Sequence, residues 1–139
     1  MKISIKCDYA CRAIEEMAKE YGPGRPVQIN AIARRQGIPA NYLVQILNEL
    51  KTKGLIRSRR GVAGGYILTK PPQEITFGEV VRAIEGDVLH LDHLRDARCP
   101  REIREIWQRI RDAAERAADE ATFDKIVASA GAESPMYYI

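Results

Sequence analysis

Five glycines and the arginines beside them constrain this chain most. Gly37, Gly54, Gly61, Gly64 and Gly65 divide the first 70 residues into pieces too short for anything but small helices and one hairpin. Ahead of them, a helical pattern runs from Ser4 to about Tyr21. It places Tyr9, Ala10, Ala13, Ile14, Met17 and Ala18 on one face and stops at Gly22-Pro23-Gly24. After a short extended piece at Pro26-Val27, Asn30 is positioned to cap the short helix AIARRQ, which ends at Gly37. A third helix spans Ala40 to Lys53, with Leu43, Ile46, Leu47 and Leu50 facing inward and Gly54 beyond its end. Two short strands follow, Leu55-Ile56 and Tyr66-Ile67-Leu68. Arg59, Arg60, Gly61, Gly64 and Gly65 connect them in a tip whose backbone can approach another surface closely.

That order is the order of a winged helix-turn-helix, so the expected class is mostly α with a small β-hairpin wing. The rest of the chain reads as more helix. Thr76 and Glu79 form a capping-box pair at the head of a helix from Phe77 to Glu85. Residues 87–99, DVLHLDHLRDARC, have no clean period and are expected to form a loop with at most one turn. Pro100 suits the first position of a long helix reaching Ala121, and Thr122 to Ser129 predicts one more short helix. Ile103, Ile106, Trp107, Ile110, Ala114 and Ala117 make an apolar stripe on the long helix. A stripe of this size is expected to meet a second copy of itself, giving a homodimer. The resulting division is a DNA-binding unit over 1–86, a sensor-type loop over 87–99, and a dimerisation helix with a tail over 100–139.

Charge agrees with this division. Residues 1–70 carry 13 Lys/Arg against 5 Asp/Glu, whereas 71–139 carry 9 against 14. A basic half ending in an Arg-Arg-Gly tip points to a polyanion. Turned outward from the third helix, Asn41, Tyr42, Val44, Gln45, Asn48 and Lys51 are the candidates to enter a major groove. Gln45 and Asn48 can pair with an adenine edge, and Val44 can touch a thymine methyl. Arg34 and Arg35 suit phosphates, and Arg59 and Arg60 suit a narrow minor groove or the backbone beside it. The expected partner is therefore double-stranded DNA.

Other classes fit less well. The opening segment carries charges throughout and no run reaches the length of a membrane span, so neither a signal peptide nor a membrane partner is expected. Three cysteines, an odd number, fit a reducing cytoplasm better than a disulfide framework. Cys7 and Cys11 share a helix face and read as packing residues, whereas Cys99, between Arg98 and Arg101, is the candidate for a reactive thiol. No nucleophile triad, phosphate loop or paired carboxylates stand out, and the two histidines lie in one loop, so no enzymatic activity is expected.

Five segments carry a family resemblance: MKISIKCDYACRAI, IARRQGI at 32–38, YLVQIL at 42–47, GLIRSRRGVAGGYIL at 54–68 and ITFGEVVRAIEG at 75–86. They resemble the IscR–NsrR–CymR family of bacterial winged-helix regulators of iron–sulfur, nitric-oxide and cysteine metabolism. The resemblance spans nearly the whole chain. It implies a homodimer joined through the helix around Trp107, reading a palindromic operator and usually repressing. Many relatives hold an iron–sulfur cluster on three loop cysteines. Here His93 stands at what looks like the first of those positions, and Cys99 is the only thiol in the loop. An atypical cluster or metal site would have to use His90, His93 and Cys99, completed by Asp8 of a partner subunit. Val44 is a second departure, since relatives often carry Glu there. The C-terminal segment is most similar to the cysteine-metabolism branch, CymR, which has no cluster and works through a complex with cysteine synthase. In that reading no cofactor is bound, and Tyr137, Tyr138 and Ile139 anchor the enzyme, which accepts partner C-termini ending in isoleucine.

Overall fold

A computed structural model describes residues 2–131 of the chain. The order is α1 (Ile5–Lys19), α2 (Ile29–Gln36), α3 (Ala40–Thr52), β1 (Ile56–Arg59), β2 (Gly65–Leu68), α4 (Phe77–Glu85), α5 (Arg101–Glu120) and α6 (Phe123–Gly131). The fold class is the expected one: helices around a single core, with one antiparallel hairpin as the wing.

Helix α1 is the hub, packing against α2, α3, α4 and α6. Its start is set by Ser4, whose hydroxyl accepts from the Cys7 amide at 3.1 Å. Ala10 and Ala13 are fully buried, and their small side chains let neighbouring helices approach closely. The core continues through Ile14, Met17, Ile32, Leu43, Ile46, Leu47, Leu50, Ile56, Ile75 and Val80.

Two boundaries differ from the sequence reading, each for a local reason. Asn30 lies inside α2, which starts at Ile29 behind a Gln28 cap that makes no side-chain hydrogen bond. Just before it, Val27 exchanges two 2.9 Å backbone hydrogen bonds with Tyr66, so strand-like pairing holds the chain until the helix begins. Thr76 caps α4 through the Glu79 amide at 3.0 Å, but the Glu79 carboxylate does not reach back. It accepts from Lys70 Nζ at 2.6 Å, a charge-assisted bond that replaces the reciprocal half of the capping box.

The C-terminal part returns to the core through α6. Phe123 is buried and stacks on Phe77 with ring centroids 6.2 Å apart. Phe77 donates to the Ala121 carbonyl at 2.7 Å, and Phe123 donates to that of Ile75 at 3.1 Å. Arg82 and Asp119 add a two-pronged ion pair with both bonds at 2.8 Å. Among the described residues helix α5 has no fully buried side chain, and Ile103, Ile106 and Ile110 are 40–49% exposed. Residues 87–99 form a loop with a single 3₁₀ turn at Asp92–Arg95, and Pro100 caps α5 from one position before its first residue.

Candidate nucleic-acid interface

The turn between α2 and α3 is made by Gly37, at φ +67°, a left-handed conformation that glycine adopts without steric cost. Pro39 starts α3 two residues later. Leu43, Ile46, Leu47 and Leu50 are buried, which leaves Asn41, Val44, Gln45, Asn48 and Lys51 exposed. Gln45 and Asn48 are three residues apart, one helical turn along the same face. Tyr42 sits differently. It is half-buried, with its ring edge-on to Tyr9 at 5.9 Å, so most of it steadies α3 on α1. Lys6 adds a 3.0 Å ion pair to Glu49, and that carboxylate raises the Lys6 ammonium above its ordinary range.

A buried carboxylate, which sequence reasoning missed, holds the other helix of the motif. Glu16 is 3% exposed and accepts from Gln36 Nε2 at 2.7 Å and from Arg35 Nη1 at 3.4 Å, with Lys19 Nζ 3.6 Å away. Arg35 is thus tied to α1 while its side chain remains half exposed. Arg34 is exposed beside it. The available signal was one acidic residue, Glu16, beside the apolar stripe of α1, which periodicity alone does not distinguish from a solvated edge.

The wing is paired further than the sequence implied. The ladder runs from Ile56↔Leu68 to Arg59↔Gly65, so Arg59 ends a strand and the tip is Arg60 to Gly64. The glycines are required by proximity. A Cβ on Gly64 would collide with the Arg59 carbonyl, and one on Gly65 would lie 2.6 Å from the Val27 carbonyl. Gly61 accepts from the Gly64 amide at 2.9 Å and closes the tip. Arg59 and Arg60 are exposed, and Val62 projects wholly into solvent at the tip, an apolar side chain that sequence reasoning also passed over.

The candidate ligands of the 87–99 loop are not brought together. His90 Nε2 donates to the Glu85 carbonyl at 2.7 Å, with Nδ1 3.7 Å from Asp87. The His93 ring lies edge-on to Trp107 at 5.0 Å. Asp8 pairs with Arg12 at 2.8 Å. Arg104 reaches back to the carbonyls of Asp96 and Cys99 at 2.9 and 3.3 Å and holds the loop end with protein groups. Among the described residues no three His, Cys, Asp or Glu side chains form a metal-binding group. One thiol and two separated imidazoles do not fit an iron–sulfur cluster, which is held mainly by thiolates. Cys99 is half-buried, and Cys7 and Cys11 are in the core. The Cys11 thiol is pushed up by its contact with Cys7 and by burial, and remains protonated.

Tyr137, Tyr138 and Ile139 lie outside the described residues. Among the described residues no helix is long and apolar enough to cross a membrane.

Comparison with known proteins agrees with this geometry. The Rrf2 family model, described as an iron-dependent transcriptional regulator, matches residues 3–129. The helix-turn-helix regulator CymR of Bacillus subtilis is 35% identical over 137 residues, covering 99% of this chain and 97% of that protein. Its solved structure, described as the global cysteine regulator of B. subtilis, superposes with a TM-score of 0.84 over 93% of this chain and 98% of that one. The structure of T. potens IscR is 32% identical, with a TM-score of 0.79 over 99% of this chain and 97% of its own. Escherichia coli IscR is 39% identical over 88 residues, 63% of this chain and 54% of that protein. These relatives are regulators of transcription and not enzymes. With a winged helix-turn-helix whose polar face is exposed among the described residues and a family match over almost its whole length, the chain belongs to the Rrf2 family of transcriptional regulators.

Proposed function

We propose that this regulator binds a palindromic operator as a homodimer and represses transcription, with α3 in the major groove and the wing tip along the minor groove. The observation that carries the reading is the face of α3. Leu43, Ile46, Leu47 and Leu50 are buried, so Asn41, Val44, Gln45, Asn48 and Lys51 form a mainly polar strip that is left exposed among the described residues. Arg34, Arg35, Arg59 and Arg60 flank it as phosphate or minor-groove contacts. Gly61, Gly64 and Gly65 let the tip backbone come close. Residues 1–86 do the binding in this division of labour, 87–99 act as a regulatory loop, and 100–139 dimerise the chain and present a tail. The exposed isoleucines of α5, with Trp107, Ala114 and Ala117, support pairing of two copies through that helix.

Selection of bound DNA from a random pool tests this directly. The expected product is a palindrome whose half-site centres lie about one helical turn, or a multiple of it, apart. Enrichment of a single unpaired half-site, or no enrichment, would sink the dimeric operator reading.

Similarity to the cysteine regulator CymR supports cysteine or sulfur metabolism as the regulated process. In this reading the cytoplasmic regulator is tuned by cysteine synthase, which takes Tyr137, Tyr138 and Ile139 into its active site. Cysteine synthase should be retained by the full chain and lost on removing the last three residues. Equal retention by both would discard the tail as its anchor.

A further inference from the structure

A cavity of about 270 Å³ lies at the root of the wing, where β1 and β2 face the C-terminal end of α1. Ile67, which pairs across the hairpin with Arg57, forms an apolar floor with Tyr21, and Met17 and Leu68 also line it but are each only 2% exposed. Three arginines line it. Arg57 and Arg59 are two residues apart on β1 and therefore project to the same side of the strand, and Arg25 approaches from the turn after α1. Glu20 is the one carboxylate in the lining. It meets Arg25 at 3.8 Å, and the Arg25 side chain is 73% exposed, so that pair is easily exchanged for another anion.

Three cations against one carboxylate over an apolar floor call for an anion with an apolar body. A phosphodiester would satisfy the guanidiniums and leave the floor uncovered, whereas a small carboxylate with a hydrocarbon or aromatic part would satisfy both. The volume admits a compact metabolite and not a drug-sized ligand. We infer that this cavity binds a small, apolar organic carboxylate, and that the ligand is an effector of DNA binding. Arg59 links the two functions, because it borders the cavity and is also the last strand residue before the wing tip. A carboxylate that holds Arg59 and braces the wing against α1 takes that arginine from the operator. Ligand and DNA then oppose each other, by the same factor in both directions. This effector role rests on the DNA contact proposed for Arg59, while occupancy of the cavity does not.

The chain has three methionines, so a ¹³C-methyl methionine NMR spectrum of the full chain reads Met17 directly. The probes are benzoate and inorganic phosphate, each titrated without DNA up to ~20 mM, a range suited to a ligand of this size. Benzoate is expected to move the Met17 methyl saturably while phosphate leaves it in place. Arg57→Ala should weaken benzoate at least about tenfold through the lost charge-assisted bond, with Arg57→Lys recovering part of the loss and the thermal midpoint unchanged. An equal response to phosphate would overturn the organic-carboxylate reading and assign the arginines to phosphate groups of DNA. A Met17 signal indifferent to benzoate would overturn the site itself. Operator binding titrated with and without benzoate then tests the coupling separately. Saturated cavity with undiminished operator affinity would leave the site standing and remove its effector role.

Discussion

Arg82 of α4 and Asp119 of α5 face each other through two parallel hydrogen bonds, both 2.8 Å long. They join the part of the chain that carries α3 to the helix whose apolar face is left uncovered. Thr76 Oγ1 approaches the same carboxylate at 3.5 Å, and Gly78 provides the room, since a Cβ there would strike it. The hydrogen bonds from Arg82 hold the Asp119 carboxyl below the usual carboxylate range. A depressed folded-state value gives stability that is present above the unfolded value and is lost as pH falls through the folded one. Both side chains are more than a third exposed, so Asp119→Asn should cost no more than ~1 kcal/mol at neutral pH. Urea unfolding of both proteins should show the difference shrinking in acid. A difference independent of pH would mean that the charge is not what matters.

Glu16 should be far less tolerant. Its carboxylate is almost wholly buried, and Glu16→Ala would leave Gln36 without its acceptor and open a void beside α2. The expected loss is ~2–4 kcal/mol, read as a lower urea midpoint at constant slope. Glu16→Gln should recover part of it by keeping the Gln36 contact. If alanine were neutral, the carboxylate would not be what holds α2 in place.

The interface separates into two kinds of contact. Gln45→Ala or Asn48→Ala should cost ~1–3 kcal/mol of operator binding and relax preference at one base pair. Arg60→Ala should instead weaken binding to all sequences alike and reduce the salt slope by about 1 per protomer. Anisotropy titrations on matched and substituted operators at several salt concentrations distinguish them. Equal sequence dependence for both classes would refute the assignment.

Helix α5 gives a prediction about assembly. Ile106→Glu places a charge in the exposed apolar face without disturbing the core, since Ile106 is 48% exposed among the described residues. Sedimentation is expected to shift from dimer to monomer with the helical content retained. A variant still dimeric at micromolar concentration would move the interface elsewhere.

Trp107 is the single tryptophan, and the His93 ring lies against its edge. His93→Leu should therefore change the emission intensity of the folded protein and leave its unfolded spectrum alone. Identical folded spectra would show that the loop does not rest on α5.

Much of this was legible along the chain because it depends on near neighbours. The 3–4 spacing of Leu43, Ile46, Leu47 and Leu50 determines both the inner face of α3 and, by exclusion, the side chains left for DNA. The clustered glycines likewise locate the wing, since no other residue type tolerates the contacts at Gly64 and Gly65. Tyr42 shows where that logic stops, because its place on Tyr9 depends on how α1 crosses α3.

By itself, then, the sequence determined the order of the elements, the winged helix-turn-helix and the segregation of positive charge into the first half. Those properties follow from periodicity, turn chemistry and composition, all of which act over a few residues. Only the tertiary structure decided that Val27 pairs with Tyr66, that Glu16 clamps α2, that Arg82 meets Asp119, and that His93 rests on Trp107. Such contacts join residues up to dozens of positions apart, and their geometry depends on how whole helices pack, which no local pattern encodes.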